Sequence, residues 1–184
     1  MSISTSPIGP RRSPTRTPHL LNAGLLIAMF AYAFVTYDDL PPRFAIHFDG
    51  AGNPDGWMHK NWGEWLLIPL SALGLTAVMY LTSLLVNAAR RNPKRLSIPH
   101  KEAFLALPPE QQAPIWAKLK AMVLASAVPL NAILFYVQMS IARFALGQSD
   151  HVALWPVIVL GAGMIVILIV QVVDLIRSIK RAVG

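Results

Sequence analysis

Four apolar runs decide what kind of molecule this chain can be. They cover residues 20–36, 65–89, 121–142 and 152–176. A bilayer core about 30 Å thick needs roughly 20 residues of helix to cross it. The last three runs meet that length and the first comes close. A single run of this kind could be a buried helix of a soluble domain. Four of them leave no polar shell to cover them, because only 14% of the residues are charged, against about 25% in soluble domains. The expected class is an all-α membrane protein with four transmembrane helices.

The net charge of +7 follows the same plan rather than pointing to a nucleic-acid partner. Arg11, Arg12 and Arg16 precede the first run, and Arg177, Lys180 and Arg181 follow the fourth. Arg90, Arg91, Lys94, Arg95, Lys101, Lys118 and Lys120 lie between the second and third. Of the 16 Lys and Arg, only Arg43, Lys60 and Arg143 fall on the other side of a four-span chain. The positive-inside rule then expects both termini in the cytoplasm. The basic residues also face anionic lipid headgroups there. The lipid bilayer is thus the first expected partner.

Cysteine is absent, which removes disulfide and thiol chemistry. Ala31-Tyr32-Ala33 has the small-x-small form of a signal-peptidase site. It lies in the middle of the apolar run instead of after it, so the first span is expected to be retained.

The chain divides into four parts. Residues 1–18 are rich in Ser, Thr, Pro and Arg and are expected to form a disordered cytoplasmic tail. Residues 19–89 form a two-helix unit around an extracytoplasmic loop, 38–63. Residues 90–120 form a basic cytoplasmic loop, and 121–184 a second helix pair with a basic tail. Within 90–120, Pro108-Pro109-Glu110 resembles a helix start. A short amphipathic helix on the inner membrane surface is expected to follow it, before the third span.

The loop 38–63 holds the densest chemistry. GNPDGW at 52–57 is a turn signal, since Asn-Pro fixes a φ and Asp-Gly tolerates the left-handed region. Trp57, Trp62 and Trp65 are expected at the membrane interface, as belt aromatics. His47, Asp49, Asp55 and His59 are ligand types for zinc-like ions. Their spacing is not that of a metal motif, and a calcium loop counted from Asp49 fails at Ala51 and Pro54. The loop offers no serine or cysteine nucleophile beside its histidines. No metal, cofactor or catalytic residue is therefore assigned, and a metal-dependent enzyme remains an alternative.

The third span carries Pro129, Asn131 and Gln138. A proline frees a backbone carbonyl, and a neighbouring helix can supply partners for the amides. These residues are the candidates for a path in a second alternative, a small transporter or permease component. The fourth span has Gly161 and Gly163, which permit close packing, and Asp174 one turn from Arg177, an expected local ion pair. No ionisable group falls near the middle of a span, where such groups mark proton or ion paths.

Residues 37–60, YDDLPPRFAIHFDGAGNPDGWMHK, resemble the signature of a bacterial membrane-domain family of unknown function. The same domain stands at the N-terminus of the Sdp-toxin immunity protein family. Tyr37, Leu40, Pro41, Arg43, Ile46, His47, Phe48, Gly52, Pro54, Asp55, Trp57 and Lys60 match its pattern. Phe44, Ala45 and Asp49 depart from it. Residues 92–104 resemble a weaker second element. The resemblance implies a multi-pass protein of the bacterial inner membrane with this loop outside the cytoplasm. In the immunity relatives it implies protection against a secreted peptide toxin, coupled to cytoplasmic signalling. The leading expectation is a non-enzymatic envelope protein whose outer loop binds a peptide or a partner protein. Asp55, Trp57, His47 and Lys60 are expected to shape or recognise.

Overall fold

The computed structural model describes residues 15–92 and 100–184. Expectations placed on 1–14 and on 93–99, including most of the N-terminal tail, Lys94, Arg95 and much of the second family element, lie outside the described residues. Helix α1 spans Arg16–Tyr37. Strands β1 (Arg43–Phe48) and β2 (Pro54–His59) follow. A single turn, α2 (Trp62–Trp65), leads into α3 (Leu67–Arg91). After α4 (Lys101–Ala106) come α5 (Pro109–Ala145) and α6 (Trp155–Val183). Helices α1, α3, α5 and α6 are each long and apolar enough to cross a membrane. The chain is a multi-pass membrane protein.

Helix α1 starts at Arg16, inside the expected tail. Pro18 does not prevent this, because the first N–H groups of a helix have no intrahelical acceptor to lose. Helix α5 is the axis of the bundle and packs against α1, α3 and α6. At 37 residues it is roughly 55 Å long, well beyond a bilayer core. Pro109 opens it as expected. The expected separate interfacial helix is instead the first turns of α5, continuous with the third span. The separate short helix is α4, which has six residues and ends just before that start.

Each end of the bundle is closed by its own small core. At the basic end, Phe104 of α4 packs with Ile115, Trp116, Leu175 and Ile179. Gln112 donates through Nε2 to the carbonyl of Leu107 at 2.7 Å, which ends α4 and holds it against α5. At the other end, Phe44 and Met58 of the strands join Ala33, Leu40, Trp65, Ile141 and Ala142.

Three spans share one polar node in the middle. Asn131 Nδ2 of α5 donates to Thr76 Oγ1 of α3 at 2.8 Å and to Asn22 Oδ1 of α1 at 3.1 Å. Asn22 Nδ2 in turn donates to the carbonyl of Leu124 at 3.1 Å. In hydrocarbon such side chains must satisfy each other, and they fix the register of the helices as they do so.

Two expectations about the fourth span change. Asp174 pairs with Lys118 of α5, Oδ2 to Nζ at 2.5 Å, rather than with its neighbour Arg177. The pair therefore joins two helices. A Cβ added at Gly161 or Gly163 would meet nothing within 4 Å, so these glycines make no close helix contact among the described residues.

Candidate functional site

The loop between the first two spans is a β-hairpin, which amends the all-α expectation. Residues 52–57 read as the turn in sequence, but the reversal lies earlier, at Asp49–Asn53. Gly52 N–H donates to the carbonyl of Asp49 at 2.9 Å. Asp49 Oδ1 accepts from the N–H groups of Ala51 at 2.8 Å and Asn53 at 2.9 Å. The Asn53 backbone N–H chiefly, then its side chain, pulls the Asp49 carboxyl below its usual value of 3.8. Asp49 is thus spent on the turn. Gly52 has φ of 85°, in the left-handed region that glycine adopts without steric penalty.

Pro54 takes the first position of β2, where proline removes no interior ladder bond. Asp55-Gly56 then belongs to the strand. Gly56 stands opposite His47, and a Cβ there would lie 2.7 Å from His47 Cβ. The ladder steps over Ile46 on β1 and over Asp55 on β2, two offsetting irregularities. They bring His47 Nδ1 within 2.5 Å of Asp55 Oδ1 on the exposed face. The four candidate ligands are therefore not gathered. Asp49 serves the turn, His47 holds Asp55, and His59 lies at the far end of β2. Among the described residues no group of three His, Cys, Asp or Glu could hold a metal.

Most of the remaining motif residues attach the hairpin to the bundle. Lys60 Nζ donates to the carbonyls of Asp38 at 2.9 Å and Leu40 at 3.0 Å, at the C-terminal end of α1 where a cation is favoured. The same ammonium lies 4.9 Å from the centre of the Tyr37 ring. Tyr37 also stacks on Trp62, centroids 3.6 Å apart. Leu40 and Phe44 are buried, Pro41 is half-buried, and Phe48 meets Phe144 of α5 edge-on at 5.1 Å. Trp65, expected at the interface, is buried instead. Its indole N–H donates to the carbonyl of Ala33 at 2.9 Å, and its ring meets Phe44 edge-on.

A second connection, 146–154, grips the turn. Val152 N–H donates to the carbonyl of Gly52 at 3.1 Å, and a Cβ on Gly52 would stand 2.2 Å from the carbonyl oxygen of Val152. Tyr136 of α5 fixes the same connection through the carbonyl of Ala153 at 2.7 Å. Nothing in the local sequence of 146–154 marks it as the partner of Gly52, so its part escaped the sequence reading.

What the hairpin leaves open is a cleft of about 540 Å³ between β2 and the start of α3. Ile46, Met58, Trp65 and Leu67 make its apolar walls, and His59 and Glu64 bring polar groups to it. Trp57, itself a lining residue, is half exposed. Trp57 has no core role; its ring lies 5.8 Å from the Arg43 guanidinium. Of the expected recognition residues, Trp57 alone lines this cleft. His47, Asp55 and Lys60 brace the hairpin. Glu64 and Met58 were not singled out in the sequence, because DGWMH at 55–59 carries no period-2 alternation that would mark a strand.

Asn131 and Gln138, the expected path residues, are fully buried. Asn131 belongs to the three-helix node. Both amide atoms of Gln138 lack a protein partner.

No curated protein and no solved structure matches the chain. Residues 24–73, which run from α1 through the hairpin into α3, match the family described as Domain of unknown function (DUF1648). The hairpin and the ends of the helices that carry it are thus similar to a DUF1648 domain, in a chain with four helices long and apolar enough to cross a membrane.

Proposed function

We propose that this is a non-enzymatic recognition protein of the bacterial inner membrane, with both termini in the cytoplasm and the hairpin outside. The distribution of Lys and Arg supports that orientation. The ligand we infer is an apolar peptide or the extended segment of a partner protein, held in the cleft beside Trp57. One observation carries the reading. The motif residues are consumed in building the hairpin, yet Trp57 stays half exposed in an apolar cleft. Aromatic side chains so placed are typical anchors of recognition sites. The resemblance of 37–60 to the Sdp-toxin immunity family supports a secreted peptide as the ligand class. The amphipathic start of α5 and the packed α4 would then form the cytoplasmic output surface.

The test is capture from native membranes by the tagged full chain, with a photo-crosslinking residue at position 46 on the cleft wall. A crosslinked peptide or protein that Trp57→Ala abolishes, while insertion and thermal stability stay unchanged, supports the reading. Equal crosslinking by both proteins would sink it.

A further inference from the structure

We propose that the groove between α5 and α6 at the basic end of the bundle binds the phosphate of an anionic phospholipid. The groove has a volume of about 690 Å³. Pro114 and Ile115 give it an apolar floor, and Gln111, Lys118 and Arg181 bring hydrogen-bond donors to it. Two cations and one neutral donor over an apolar floor match a phosphodiester carried on acyl chains. Basic pockets between spans on the cytoplasmic side recognise headgroups in this way.

Ser178 Oγ donates to the carbonyl of Asp174 at 2.7 Å and accepts from Lys118, which holds the ammonium in place. Lys118 Nζ sits 2.5 Å from Asp174 Oδ2 and 2.8 Å from Ser178 Oγ. An ammonium has three donors, so these two contacts leave one for an incoming oxygen. Asp174 offsets the Lys118 charge. Arg177 and Arg181 add to the positive field around that carboxylate, and Arg181 makes no ion pair among the described residues. The local balance is therefore positive.

Depth decides between a lipid and a free anion. Lys118 lies just before the apolar run 121–142, and Ser178 and Arg181 lie just after the run 152–176. The polar groups thus stand within about a turn or two of the hydrocarbon boundary on both helices, at headgroup level. A phosphate there lets its acyl chains follow the α5–α6 surface into the bilayer. The groove is at the opposite end of the bundle from the hairpin and shares no lining residue with the cleft there.

The experiment is native mass spectrometry of the full chain released from nanodiscs of phosphatidylglycerol and phosphatidylcholine in equal amounts. The expected result is selective retention of phosphatidylglycerol. Arg181→Gln should lower that retention about fivefold, the value of one cation near a membrane surface. Arg91→Gln removes a charge from the basic end outside the groove and should leave retention unchanged. Equal retention of the two lipids, or an equal loss in both variants, would overturn the site. Displacement of the lipid by inorganic phosphate at constant ionic strength would make it a free-phosphate site and overturn the lipid assignment.

Discussion

Lys60 donates to the carbonyl oxygen of Asp38 at 2.9 Å, tying the end of the hairpin to the end of the first spanning helix. The bond to Leu40 doubles the tie. Hydrogen bonds from charged donors contribute about 1.5–3 kcal/mol each before solvent exposure is discounted. Lys60→Met should therefore destabilise the domain by about 1–2 kcal/mol in detergent unfolding. It should also relax the Tyr37–Trp62 stack, visible as a change in near-UV circular dichroism. Unchanged stability and an unchanged spectrum would show that the tie is idle.

Gly52 and Gly56 occupy positions where a methyl group has no room. Gly52→Ala adds a strained backbone to a collision with the Val152 carbonyl, and Gly56→Ala forces His47 away. Overpacking of this kind costs about 1–3 kcal/mol, and the φ of Gly52 adds about 1 kcal/mol more. Gly50→Ala meets open space and should be nearly neutral. Thermal unfolding of the three variants should rank Gly52→Ala as worst. A Gly50→Ala loss equal to the others would refute the placement of the turn.

Asn131→Leu leaves Thr76 and Asn22 without their shared donor. Hydrogen bonds between spans average about 0.6 kcal/mol and reach about 1.7, so a loss of about 1–2 kcal/mol is expected from two of them. A double-mutant cycle with Asn22→Leu should show clear coupling. Additive losses would mean that the two amides do not interact.

Asp49 titrates below 3.8 because backbone and side-chain N–H groups of the turn stabilise its carboxylate. A depressed carboxyl contributes stability above its unfolded value and loses it as pH falls through the folded value. The turn should therefore hold at neutral pH and loosen only in acid below that ordinary value. NMR titration of the Ala51 and Asn53 amides should give a midpoint under 3.8, and Asp49→Asn should abolish it. A midpoint at or above the ordinary value would contradict the turn geometry.

The absence of cysteine makes topology easy to test. A single Cys at Gly50, where a side chain meets nothing, should react with a membrane-impermeant maleimide in spheroplasts with the outer face exposed. Labelling only after lysis would place the hairpin in the cytoplasm and remove the proposed recognition of a secreted ligand.

The spans were legible because burial in lipid needs only length and apolar composition, both local properties of the chain. The helix start at Pro109 was legible for a similar reason: proline restricts the backbone wherever it stands. The hairpin was not. Its second strand, PDGWMH, opens with three residues that favour turns. It is extended because Gly56 faces His47 and because Phe44 and Met58 find a core at the end of the bundle. Trp65 likewise reads as an interface aromatic until Ala33 offers its carbonyl. Only the tertiary structure could pair Lys118 with Asp174, Gly52 with Val152, or Asn22 with Asn131. Such pairings depend on which helices become neighbours, and helix packing is set by shape and shared polar contacts that lie far apart in sequence.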